Sequence, residues 1–81
     1  MASKLKLKSG DIIVDHQSGD IGILIYRYAL MEEEDEEHSM WAWDVYWTGR
    51  DVEASHRMQP WTEVGLLNII ENGVFEHYRN I

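Results

Sequence analysis

The segments Gly10-Asp11-Ile12-Ile13-Val14, Gly22-Ile23-Leu24-Ile25 and Trp43-Asp44-Val45-Tyr46-Trp47 decide the fold. Ile12-Ile13-Val14 is a β-branched run between Asp11 and Asp15, and branched side chains pack well on a pleated surface, so a short strand is expected there. His16-Gln17-Ser18-Gly19-Asp20 has the composition of a turn. From Ile21 to Ala29 the chain resumes as a longer strand apolar on both faces. Gly22 inside that strand predicts a bulge or sharp bend, which a sheet of few strands needs in order to wrap. Met40 to Thr48 then alternates with period two: Trp41, Trp43, Val45 and Trp47 share one face, expected to be core, while Met40, Ala42, Asp44, Tyr46 and Thr48 share the other, expected outside. Three such strands predict a very small β-barrel.

The chain has 81 residues, enough for one domain from residue 1 to 81 and too few for two. A core this small must bury area efficiently, and the four tryptophans Trp41, Trp43, Trp47 and Trp61 supply the means. A fully buried ring removes roughly 150–250 Å² from water. There is no cysteine, so disulfides, thiolate zinc sites and a cysteine nucleophile are excluded, and a reducing compartment is the natural expectation. Met1-Ala2-Ser3-Lys4-Leu5-Lys6-Leu7-Lys8 starts with positive charge but carries no apolar run behind it, so no secretory or membrane-spanning segment is expected.

Formal net charge is −8, and Glu32-Glu33-Glu34-Asp35-Glu36-Glu37 contributes most of it; the remainder is nearly balanced. Phosphate binding needs a basic patch that can release counterions. Here only Lys4, Lys6 and Lys8 cluster, and they suit a solubilising edge strand, so direct nucleic-acid binding is disfavoured. Adjacent carboxylates repel, which makes residues 31–39 an acidic loop expected to be mobile.

Beyond the third strand, Thr48-Gly49-Arg50-Asp51 reads as a turn, Val52 to Ser55 as a short strand, and His56 to Gln59 as a lead into Pro60. A helix follows. Thr62 is a good N-cap, Trp61 before it can staple onto Leu66, and Glu63 suits the positive end of the helix dipole. Leu66, Leu67 and Ile70 form its apolar stripe, and Asn72-Gly73 ends it with Gly73 free to adopt a left-handed conformation. Val74 is placed to pack back on Ile69, and Val74-Phe75-Glu76-His77-Tyr78 alternates as a closing strand.

The Lys-x-Gly-Asp type of opening, the glycine-bent second strand and the aromatic-x-Val-x-Trp third strand, here Lys8, Gly10, Asp11, Gly22, Trp43, Val45 and Trp47, resemble SH3-like small barrels. With Thr62-Glu63-x-x-Leu66-Leu67-x-x-Ile70-x-x-Gly73 added, the chain looks like the short SH3-like proteins of tailed bacteriophages, especially those of marine cyanobacteria. The resemblance covers about Lys8 to Tyr78; the dense acidic run departs from it, at a place where the pattern tolerates insertions. It implies a mainly β fold, an SH3-like barrel of about five strands with one short C-terminal helix. It also implies a binding or assembly role in the infected host cell's cytoplasm or in the virion, and it carries over no catalytic residue, cofactor or ligand.

Two candidate surfaces follow from the residues. Tyr26, Tyr28 and Tyr46, with Trp61 near the helix start, would line one exposed aromatic groove able to grip an extended peptide or a cation; the competing reading is that these rings pack the barrel. Glu32, Glu33, Glu34, Asp35, Glu36 and Glu37 would steer a basic protein or imitate nucleic-acid phosphate. Screening confines their reach to roughly 8 Å at physiological salt. The run lacks the spaced ligands and glycine turn of a calcium loop, so no metal is expected. Asp15, His16 and Asp20, with His38, His56 and His77 elsewhere, invite an enzyme reading. No nucleophile elbow, metal motif or phosphate cradle supports it. The expectation is therefore a non-enzymatic interaction module with a protein partner, a basic one where the acidic run steers it, no cofactor and no membrane, able to pair with its own copy through an edge strand such as Lys4 to Lys8. The alternative is an acidic decoy that occupies the nucleic-acid site of a host enzyme.

Overall fold

A computed structural model describes residues 5–31, 40–49 and 57–80. The elements run β1 (Ile12–Asp15), β2 (Ile21–Met31), β3 (Met40–Thr48), β4 (Met58–Thr62), α1 (Glu63–Glu71) and β5 (Phe75–Tyr78). The strands form one antiparallel sheet in the order β4-β3-β2-β1-β5. The fold is thus mainly β with one short helix. Among the described residues no ladder joins β4 to β5, so the sheet is open where a closed barrel was expected. The two edges approach through side chains instead: Trp61 of β4 and Phe75 of β5 have ring centroids 5.6 Å apart, and Trp47 completes an edge-to-face trio with both.

The core lies on the inner side of the curled sheet beneath α1. Leu7, Ile13, Leu24, Trp43, Val45, Trp47, Leu66 and Phe75 form its buried cluster, with Trp61, Leu67, Ile69, Ile70 and Val74 packed against it. Gly22 sits in this layer without a bulge, since its pairing with Ile13 and Trp47 lies within continuous register on both sides of β2. Its role is close approach: a Cβ there would lie 2.9 Å from Val45 and 3.0 Å from Ile13. The register shifts fall further along, between Leu24 and Tyr26 and again between Ala29 and Met31.

The helix is set as its residues predict. Thr62 is the N-cap, its Oγ1 accepting from the Gly65 N–H at 3.1 Å. At the other end Gly73 takes φ +81, with Gly73 N–H donating to the Ile70 carbonyl and Val74 N–H to that of Ile69. That is the paired hydrogen bonding of a Schellman motif, and it returns the chain into β5. Two expectations change. The segment read as a lead into Pro60 is itself strand β4, which tolerates proline because it is an edge. Residues 5–8 form no edge strand, and Leu7 is buried in the core. The expected turn and strand over residues 50–55 lie outside the described residues.

Candidate interaction surface

The register of the sheet places alternate residues on a common outer face. One row crosses all five strands: Tyr78 opposite Ile12, Ile12 opposite Ile23, Ile23 opposite Tyr46, and Tyr46 opposite Met58. On one side lie Val14, Ile21 and Thr48, and on the other Tyr26, Asp44 and Pro60. Ile12 is 38% exposed, Met58 46%, Tyr78 48% and Tyr26 52%. By contrast Ile13 and Leu24, their neighbours on the inner face, are fully buried. The outer face therefore carries a continuous row of apolar and aromatic residues, several of them exposed to solvent.

Tyr26 and Tyr28 reach this face because of the first register shift. Strict alternation would put them on the side of Gly22 and Leu24, but the extra residue at Ile25 reverses the phase, and Tyr26 then opposes Asp44 while Tyr28 opposes Ala42. The two rings lie 5.6 Å apart at 49°. The Asp44 carboxylate acts on both phenols and raises the pKa of each: its hydrogen-bonding effect dominates for Tyr26, and loss of solvent contact, then the Asp44 charge, for Tyr28. The phenols stay protonated as donors. Tyr78 is raised likewise, chiefly by its hydrogen bond to Glu76.

Three of the four expected aromatic residues, Tyr26, Tyr28 and Tyr46, thus share the outer face, with Asp44 as a fourth member. Trp61 does not join them. It opposes Trp43 on the inner face and packs with Trp47 and Phe75, so the groove expected to include it is corrected to a surface without it. Glu32, Glu33, Glu34, Asp35, Glu36 and Glu37 lie outside the described residues.

The inner side holds two polar clusters that spacing alone does not reveal. Arg27, turned inward by the same register shift, gives a bidentate pair to Glu63 at 3.0 and 2.9 Å and stacks with its guanidinium 4.0 Å from the Trp41 ring centre. Trp43 Nε1 donates to the same Glu63 at 3.0 Å, so the first residue of α1 is tied to both β2 and β3. The acid expected to serve the helix dipole also anchors the helix.

The second cluster centres on Asp11, whose carboxylate is buried. It pairs with His77 Nε2 at 2.7 Å and accepts from the backbone N–H groups of Lys8 at 3.0 Å and Asn80 at 3.1 Å. Burial pushes the Asp11 pKa up. The hydrogen bonds from His77, Asn80 and Lys8, with the attraction of the imidazole when charged, outweigh that and hold it below the ordinary carboxylate value. This pair fastens the segment before β1 to β5 and the residues after it. His16 does not meet Asp20; it pairs with Glu76 at 3.0 Å on the surface, while Asp15 accepts from the Gln17 N–H. A hollow of about 390 Å³ lies beside them, lined by Leu5, Ile70 and Phe75 together with His16, Glu76 and His77. Among the described residues no three acids or histidines come together as a metal site.

No helix among the described residues is long and apolar enough to cross a membrane. Against known protein families, curated proteins and solved structures, the chain matches none.

Proposed function

We propose that this protein is a non-enzymatic protein-interaction module that receives its partner on the outer face of the sheet. The observation that carries the reading is the row Tyr78, Ile12, Ile23, Tyr46 and Met58, apolar across every strand, with Tyr78, Ile12 and Met58 exposed and Ile23 and Tyr46 half-buried between them. A chain with so small a core gains from burying such residues, yet they lie on the side that α1 leaves uncovered. Desolvating them on a partner would supply affinity, and the tyrosines would supply hydrogen bonds at low entropic cost.

An accessory or virion-associated role in a tailed phage, in the infected cell's cytoplasm or in the particle, is the form of this reading that the quoted motifs support. The acidic decoy is the second reading. It draws on the Glu32 to Glu37 run and on net charge −8, and it predicts binding that collapses with added salt.

Affinity capture from host lysate at low and high salt separates them, using wild type, Ile12→Lys, Tyr46→Ala and a control, Val64→Lys, at a helix position 68% exposed. A protein retained at high salt, lost with Ile12→Lys and Tyr46→Ala and kept with Val64→Lys, is the result expected. A basic nucleic-acid enzyme lost at high salt and indifferent to the outer-face variants would favour the decoy. Capture that survives both the outer-face variants and neutralisation of Glu32 to Glu37 overturns both.

A further inference from the structure

We infer that the outer face takes an arginine-bearing, apolar-flanked segment of a partner protein, with the guanidinium lying over Tyr26 and Tyr28 and its fork directed at Asp44. This assignment rests on the outer face being a docking surface and adds the chemistry of the occupant. The molecule already contains the same combination in satisfied form. On the inner side Arg27 stacks on the Trp41 ring at 4.0 Å and places both arms of its fork on Glu63. The outer side presents the receptor half alone: two aromatic rings 5.6 Å apart and the Asp44 carboxylate, directly opposite Tyr26 in the register.

A carboxylate offers about four lone-pair sites, so even with both neighbouring tyrosines donating, two would be left for further hydrogen bonds. Charge points the same way. None of the outer-face positions in the register is lysine or arginine, whereas Asp44 and Glu76 both lie there. A second copy of the chain would set equal charges face to face across a twofold axis, in a protein of net charge −8. A cationic partner meets no such repulsion. Arginine suits the site better than lysine because a planar guanidinium both stacks on rings and forks onto a carboxylate.

Strand spacing also sets the size of the occupant. Five strands about 4.8 Å apart span roughly 19 Å, which an extended segment of about six residues crosses. Its apolar side chains would lie along the row from Met58 to Tyr78, with arginine reaching the neighbouring Tyr26 and Asp44 pair at the middle of β3.

The test is selection of a displayed library of random short peptides on the intact protein, followed by affinity measurement of the enriched peptides. The measurement uses wild type, Asp44→Asn, Ile12→Lys and Val64→Lys, each first shown to keep the wild-type thermal midpoint within a few degrees. Peptides with arginine at a fixed place among apolar residues are expected. Their binding should fall about 10- to 100-fold with Asp44→Asn, and comparably when that arginine is replaced by citrulline, since each change removes charge-assisted hydrogen bonds. Val64→Lys should leave it unchanged. Enriched peptides without a cation, weakened by Ile12→Lys but not by Asp44→Asn, would overturn the arginine assignment and leave the docking face standing. Self-association abolished by Ile12→Lys would make the occupant a second copy and overturn it as well. Peptides indifferent to both outer-face variants, or no enrichment at all, would overturn the assignment and the docking face together.

Discussion

On β3, Trp43, Val45 and Trp47 are buried among the residues of β2, β5 and α1, whereas Asp44 and Tyr46 between them reach the outer side. The two faces are built from the same strand, one residue out of phase, and they use their polar groups differently. Inside, carboxylates are consumed. Asp11 is closed off by His77, Lys8 and Asn80, and Glu63 by Arg27 and Trp43. Outside, Asp44 lies opposite Tyr26 and acts on the phenols of Tyr26 and Tyr28, with no lysine or arginine of the outer-face register beside it. The inner face thus spends its chemistry on joining segments far apart in the chain, and the outer face holds its chemistry toward solvent.

The contrast breaks most sharply at His77. Replacing it with phenylalanine leaves the buried Asp11 carboxylate without its side-chain partner, and urea unfolding should show a loss of about 3–5 kcal/mol. Because the folded pKa of Asp11 lies below that of the unfolded chain, the stabilisation is complete above the ordinary carboxylate pKa and fades as pH falls through the folded value. Urea midpoints measured from neutral pH down to about pH 2 should therefore decline below about pH 4, the unfolded carboxylate value, and Asp11→Asn should lack that part of the slope.

A smaller effect is expected at Gly22. Alanine there forces a methyl against Val45 and Ile13, and the strain should cost about 1–3 kcal/mol in the same assay. Thr62→Ala removes the cap bond to Gly65 and should cost about 1 kcal/mol, visible also as lost helicity in circular dichroism. Smallest of all is the outer face. Ile12→Lys should change stability by no more than about 0.5 kcal/mol, because the new side chain extends into water. A large loss there would mean that the outer row serves folding, and the contrast between the faces would fail.

Much of this was legible along the chain. The period-two pattern of Met40 to Thr48, the Thr62 cap and the left-handed Gly73 are local signals, each acting over a few residues, and the structure places them as read except that Ala42, on the face expected outside, is buried. Strand β4 was hidden because among the described residues it pairs with β3 alone, and because Pro60 removes a backbone donor that an edge strand does not need. Trp61 was misplaced for a related reason. Nothing near it in sequence shows that Trp43 lies opposite, and that pairing decides which face it occupies.

The sequence by itself determined most of the elements and one exclusion: the alternation of β3, the β-branched run of β1, the capped helix and the absence of cysteine chemistry. Only the tertiary structure decided which side chains share a surface. A single extra residue at Ile25 turns Tyr26 and Tyr28 outward and Arg27 inward. A pairing across 66 residues brings His77 to Asp11. The physical reason is that local propensity acts through the backbone over a few bonds, whereas a face is a property of register, and register is settled by whichever pairing buries the inner row of rings.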